Sequence, residues 1–456
     1  AQGAPHNWSW VAQGSGDQTE TIPAPRGKVV GGTSAINGQV LLRGVPEDYD
    51  GWAAAGNDDW SFIDVLPFFR KMETDLDITD DFHGSEGPIP VRRFKREDWL
   101  PFQQAFVNSA LEEGFREDFD MNNPDSSGVG PIPMNNPEGV RMSTALTFLR
   151  AVRHRLNLTI RPNVTVQRII FEGNQAVGVQ VESGGEVYQL EANQIVLSAG
   201  AMASPQILML SGVGPANHLR EMGIPVIHDL PGVGQNLRDH PIVPVTWRTK
   251  PGFNLDGLAP RSQFCLRYTA QGSDLRNDMI VIMSSFAATP VNRGGDRMEP
   301  VGIRASVSIY LARGSGELRL TSTDPNVQPF LDYNYLQEPF DRQRLRDGVR
   351  MVLQLAEHES FRDIVEERLE PTDAELESDD SLDDWMMREV STAQHISCTC
   401  KMGPDSDSMA VVDQTCRVKG VQGLWVVDAS VMPRVPRSGG AHATVLMIAE
   451  HAVEWV

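Results

Sequence analysis

Hydrophobic and polar positions alternate most regularly between residues 164 and 191. VTVQRIIFE, AVGVQVES and EVYQL each run with a period near two, and Gly173-Asn174 and Gly184-Gly185 punctuate them. This predicts an antiparallel meander. The pattern then changes: Ile195, Val196 and Leu197 are consecutive apolar residues, as expected of a strand buried on both faces. Gly200 and Ala201 follow, and Ser204-Pro205 ahead of QILML supplies an N-cap and a first-position proline, so a helix is expected to open there. Near the C-terminus GLWVVDAS repeats the strand, with Asp428 at its end, and ATVLMIAEHAVEWV reads as an apolar final helix. Strands that feed helices in this way imply a parallel sheet whose ligands bind beyond the strand C-termini.

Between these units, DMIVIMSSF, IRASVSIYL and ELRLTS within residues 278 to 336 have a strand-like period, with Asp324-Pro325 as a turn. They predict a separate antiparallel sheet. Residues 340 to 358 carry a helical pattern, and the acidic ELESDDSLDD at 375 to 384 reads as a solvated turn and helix start. No repeat or low-complexity segment is visible, which excludes solenoids and propellers.

A chain of 456 residues exceeds one compact core and predicts two or three packed units. Apolar residues are 40% and charged ones 22%, without an apolar run of about 18 that could span a bilayer. No membrane span is expected. A formal charge of -21 repels phosphate backbones and excludes nucleic acid as a partner. The opening AQGAPHNWSW has neither a basic nor an apolar signal region, and four cysteines form no dense disulfide framework, so the expected location is cytoplasmic.

RGKVVGGTSAINGQVLLRG, from Arg26 to Gly44, packs five glycines into one loop. Such a loop lets backbone N–H groups approach a flat or phosphorylated ligand, although an ordinary turn is the plainer reading. The segment resembles the first signature of the glucose-methanol-choline (GMC) family of flavin oxidoreductases. AGAMASPQILMLSGVGP, from Ala199 to Pro215, resembles the second. Further family-like blocks follow in family order: PGVGQNLRDH, TSTDPNVQPFLDYNYL, QHISCTCKMG, VVDQTCRVKGVQGLWVVDASVMP and GAHATVLMIAEHA.

The resemblance implies a mixed α/β fold. A Rossmann or glutathione-reductase-like parallel sheet would bind FAD through residues 1–60, 155–245 and 385–456. An antiparallel-sheet substrate domain with helices would take 61–154 and 246–384. It places Gly31, Gly32, Thr33 and Asn37 beside the flavin, Val166 near the adenosine, and Asp428 and Ala429 along the ribityl and pyrophosphate. Read without the family, Val166 is a plain strand residue and Asp428 a helix-capping carboxylate. Members that tether FAD covalently do so through a histidine at the position of Ile36, so a dissociable FAD is expected here. The family also opens with a strand and a GxGxxG turn, and none precedes Arg26. The expectation is therefore a fold short of its first βαβ unit, with FAD occupancy reduced.

His395 and His442 match the family's catalytic pair. The remaining eight histidines, His240 and His83 among them, read as structural. Oxidation of an alcohol to an aldehyde or ketone removes a hydroxyl proton as hydride leaves for flavin N5, and imidazole titrates near neutral pH. One histidine would act as base and the second would hold the same oxygen. At the start of the final helix, the dipole would keep His442 neutral. The function implied is a choline dehydrogenase-like FAD-dependent oxidation of a small-molecule alcohol, with oxygen or an external carrier as electron acceptor. A non-redox hydroxynitrile-lyase-like activity and a degenerate cofactor-free binding protein are the alternatives. His395, Cys398, Cys400 and Cys416 could also be read as zinc ligands, but Cys-x-Cys spacing suits a tetrahedral site poorly, and no metal is expected.

Overall fold

The computed structural model describes residues 3–253, 259–287, 302–439 and 441–456. The meander forms as read, with antiparallel strands Thr165–Glu172, Gln175–Ser183 and Glu186–Glu191. Its turns use Gly173 and the Gly184-Gly185 pair, all in the left-handed region that a side chain would disfavour. Ile169, Ala176 and Val181 point into the core.

The parallel element is also present: Ile195–Leu197 pairs with Leu424–Val426 in register Leu424↔Ile195 to Val426↔Leu197. Burial on both faces holds for the second strand and not for the first. Val196 is 43% exposed, because the described residues pack only on the face carrying Ile195 and Leu197. The helix after this strand also differs from expectation. It starts at Gly200 and runs to Leu210, so Pro205 lies inside it. A proline there leaves the carbonyl four residues back without its helical donor. That carbonyl, on Ala201, accepts instead from the Thr399 hydroxyl at 2.6 Å. Ser204, freed from capping, donates to Asp428.

The larger sheet has seven strands. Val365–Glu370, Pro241–Thr249, Gly302–Ile309, Met279–Ala287, Phe264–Tyr268 and Gly128–Pro131 lie in that order, and Ser391–Thr392 adds to the end of Pro241–Thr249. ELRLTS is not part of it. Glu317–Arg319 pairs with Phe330–Asp332 in a two-stranded ribbon, closed by the Asp324-Pro325 turn, where Val327 N donates to Asp324 O.

Alternation in the large sheet decides which face meets what. Val307 and Met279 pack against the helix Pro339–Ala356, where Gly348 allows close approach: a Cβ there would stand 2.8 Å from Val307 Cγ1. The opposite face presents Ile242, Ile280, Ile282, Ser284, Ser306 and Ser308 to a cavity. Phe94, Ile132, Met134, Ile280 and Tyr310 of that wall belong, with Leu42, Met121 and Cys265 behind them, to a satellite apolar cluster separate from the main core.

His83 serves an ion network away from the cavity. Its Nδ1 lies 3.1 Å from Glu73 and 3.0 Å from Asp75, and its Nε2 lies 2.9 Å from Asp120. Arg93 bridges Asp75 and Asp120, and Arg43 pairs with Glu73. Burial opposes the imidazolium charge, but hydrogen bonds to Asp120, Asp75 and Glu73 outweigh it and push the group up to about 11. Three cations thus face three anions. Among the described residues no helix is long and apolar enough to cross a membrane.

Candidate active site

A cavity of about 1800 Å³ lies where the glycine loop, the first strand of the meander, the ends of both parallel strands, the start of the final helix and the cavity face of the large sheet converge. Gly31, Gly32, Thr33, Asn37, Val166, Asp428, Ala429, His395 and His442 all line it. Residues far apart in sequence are thus brought to one space. Gly440, which opens the last family-like block, lies outside the described residues.

The glycine loop is held by its own hydroxyls. Gly31 sits at φ 92 before the short turn Gly32–Ala35, and its carbonyl accepts from Ser34 Oγ at 2.5 Å. Ser34 Oγ in turn accepts from Thr144 N at 3.0 Å. Thr33 Oγ1 accepts from Gly27 N, and Asn37 Oδ1 accepts from Gln39 N and from Arg141 Nη1 at 2.7 Å. A Cβ on Gly32 or Gly38 would meet open space within 4 Å. The Ile36 side chain also lines the cavity.

Asp428 caps the short turn Ala429–Val431 by accepting from Ser430 N at 2.8 Å. Its other oxygen accepts from Gly200 N at 2.8 Å and Ser204 Oγ at 2.5 Å. The capping role is therefore realised, and it ties the ends of the two parallel strands together.

His395 sits in a polar frame that sequence reading did not anticipate. Its Nδ1 lies 2.8 Å from Nδ1 of His240, and its backbone N–H donates to Asp239 Oδ1 at 2.8 Å. Asp239 is buried and also accepts from Tyr335 Oη at 2.8 Å and from the Thr392 hydroxyl. His240 is fully buried and stacks on Tyr310, with ring centroids 4.1 Å apart at 13°. Burial, and then the neighbouring His395, lower His240 well below the usual imidazole value against the weaker pull of the Pro436 and Tyr310 backbone, and its Nε2 makes no hydrogen bond among the described residues. Because Nδ1 of His395 is engaged, Nε2 is its nitrogen open to the cavity. Burial, against the opposing pull of Asp239, lowers His395 to about 4.

His442 is the first residue of the helix His442–Ala452, as expected. It is lowered to about 4 by burial and then by the Arg141 charge. Both rings are neutral at pH 7. The signal for His240 was present in the dipeptide Asp239-His240, but its partner is distant in sequence. The four cysteines are buried free thiols, and among the described residues His395, Cys398, Cys400 and Cys416 do not converge as a ligand set.

Residues 12–242 and 312–449 match the two models of GMC oxidoreductase. The chain belongs to the GMC oxidoreductase family. With that membership it is an FAD-dependent oxidoreductase acting on alcohol-type donors. It is 34% identical over 470 residues to an oxygen-dependent choline dehydrogenase of Photobacterium profundum, covering 98% of this chain and 82% of that one. It is 36% identical to an uncharacterized GMC-type oxidoreductase of Rhodococcus erythropolis, over 98% of this chain and 85% of the relative. Among solved structures, pyridoxine 4-oxidase from Mesorbium loti superposes with a TM-score of 0.92 at 28% identity, covering all of this chain and 89% of the other.

The cavity's residues fit such a cofactor. Its volume exceeds the roughly 300–1,000 Å³ of a site for one small ligand, leaving room for a dinucleotide and a substrate together. Arg26, Lys28, Arg161 and Arg261 line it, whereas its one lining carboxylate among the described residues is the already satisfied Asp428. That charge balance suits a pyrophosphate. The final helix also aims its N-terminus into the space, as an anionic ligand requires.

Proposed function

We propose that the protein oxidises an alcohol to an aldehyde or ketone, with His395 taking the hydroxyl proton and His442 holding the substrate oxygen. The observation that carries this reading is the hydrogen-bonded His240–His395 pair opening onto the same cavity as His442. Bound FAD would accept the hydride that leaves the carbinol carbon. Gly31, Gly32, Thr33 and Asn37 would hold its ring system, Val166 its adenosine end, and Asp428 with Ala429 the stretch between. Ile36 cannot form a covalent link, so the cofactor is held non-covalently. The corresponding division assigns 1–60, 155–245 and 385–456 to cofactor binding and 61–154 and 246–384 to substrate binding.

The chain's own residues set the proton's path. In this reading His240 carries its proton on Nε2 and accepts at Nδ1 from Nδ1–H of His395, which leaves the His395 Nε2 lone pair for the cavity. That nitrogen takes the proton from the hydroxyl. Asp239 holds the His395 backbone, and burial keeps the ring neutral until the proton arrives. The nearby Asp239 carboxylate then offsets the charge. His442 lends its ring N–H to the same oxygen, which aims the C–H bond.

The test is aldehyde or ketone formation by purified holoprotein across a broad alcohol panel, with His395→Ala as control. Peroxide under air against dye reduction without oxygen distinguishes oxygen from an external carrier as acceptor. An absence of carbonyl product across the panel, or undiminished turnover in His395→Ala, contradicts the reading.

A further inference from the structure

Among the described residues, the substrate wall of the cavity offers no carboxylate to pair with a cationic alcohol. On the sheet side its apolar members are Val40, Phe94, Ile132, Met134, Ile242, Ile280 and Ile282, joined by the hydroxyls of Ser284, Ser306 and Ser308. It adjoins the histidine pair through Tyr310, whose ring centroid lies 6.5 Å from that of His395. Ser308 already donates to Pro241 O at 3.0 Å. Among the described residues no carboxylate lines this wall, and Asp428 at the strand ends is satisfied by Gly200, Ser204 and Ser430.

A quaternary ammonium can also be held by an aromatic cage, through the negative faces of the rings. Here three of the lining rings already have a partner on one face. The Arg92 guanidinium covers Phe94 at 4.0 Å, His240 stacks on Tyr310, and Lys28 lies over Trp8 at 4.5 Å. Arg92 also lines the wall, and its own hydrogen bonds go to the carbonyl and side chain of Asn136. An incoming cation would therefore meet a fixed positive charge and leave its own unpaired in an apolar setting, the costly arrangement for any buried ion.

Resting on the alcohol-oxidation reading, we infer that the substrate is an uncharged alcohol with a hydrocarbon body, aromatic or branched aliphatic, and that the wall rejects alcohols bearing a quaternary ammonium. Selectivity arises from the combination of an aliphatic surface and the Arg92 charge that already covers Phe94. The chain's 34% identity to an oxygen-dependent choline dehydrogenase thus does not extend to that relative's named substrate.

Matched pairs that differ only in charge test this. Choline is compared with 3,3-dimethylbutan-1-ol, and 4-(trimethylammonio)benzyl alcohol with 4-tert-butylbenzyl alcohol; 4-(hydroxymethyl)benzoate serves as the anionic member. Each is titrated into flavin-loaded protein by calorimetry and assayed for carbonyl product. In at least one pair the neutral member is expected to bind at least ~100-fold more tightly than its cation. Ile282→Glu, which places a carboxylate on the wall, is expected to narrow that ratio by roughly tenfold. Equal or tighter binding of the cations, tighter binding of the benzoate, or no binding by either neutral alcohol overturns the inference. Tight neutral binding without carbonyl product would leave the inference standing and sink the alcohol-oxidation reading instead.

Discussion

Replacing His240 by phenylalanine separates two roles that the structure gives this ring. Phenylalanine keeps the stack on Tyr310, where the rings are 4.1 Å apart, but removes the 2.8 Å hydrogen bond to His395. A neutral hydrogen bond of this kind is worth about 1 kcal/mol, and the bias it places on the His395 tautomer is of the same order. Losing about 1–2 kcal/mol corresponds to a factor of about 5–30. We therefore expect kcat/KM to fall roughly tenfold, carried by kcat, with KM and the thermal midpoint nearly unchanged. His240→Asn, whose Oδ1 can accept from Nδ1–H of His395, should recover most of the loss. Steady-state kinetics on a neutral alcohol, alongside thermal denaturation, provide both readouts. Activity of His240→Phe within twofold of the parent, or an asparagine variant no better than the phenylalanine one, would refute the tautomer argument.

Other outcomes follow from the same geometry. His395→Ala should lower turnover about 10²–10⁴-fold, and His442→Ala should also impair it, as single-turnover kinetics would reveal. Both groups are lowered from 6.5 to about 4 in the folded state, so below 6.5 the unfolded chain binds protons that the folded one does not. Their contribution to stability is fully present above that pH and is lost as pH falls toward about 4, which denaturant titrations between those limits would measure. His83→Phe leaves buried carboxylates facing one another and should cost about 3–5 kcal/mol by equilibrium unfolding. Thr399→Val strands the Ala201 carbonyl inside the helix and should cost about 1–3 kcal/mol by the same measurement. Acid or heat denaturation of the holoprotein should release all of its flavin into the filtrate; flavin retained on the polypeptide would contradict non-covalent binding.

Local patterns were legible and long-range partnerships were not. The meander could be read because each strand alternates and its turns carry glycine, all within a few residues. His442 could be placed at a helix start from the apolar run behind it. The His240–His395 contact could not, since it depends on Ser391–Thr392 pairing with Pro241–Ile242, an event with no local signature. Ser204-Pro205 misled because the carbonyl that the proline orphans is satisfied by Thr399, from a distant loop. Val196 misled for a related reason: three apolar residues in a row show that a strand can be buried, but not what covers its second face. The apolar residues of DMIVIMSSF told more than was taken from them. With the helix on one face of that strand, Ile280 and Ile282 on the other are the cavity wall.

The central claim is that one cavity holds the flavin and presents an alcohol to His395 and His442. The direct measurement is the visible flavin spectrum of holoprotein mixed anaerobically with 4-tert-butylbenzyl alcohol, compared with the His395→Ala, His442→Ala double variant loaded with the same flavin. The account predicts prompt bleaching in the parent and a rate lower by at least ~10²-fold in the double variant. An unbleached parent, or equal bleaching in both proteins, would contradict it.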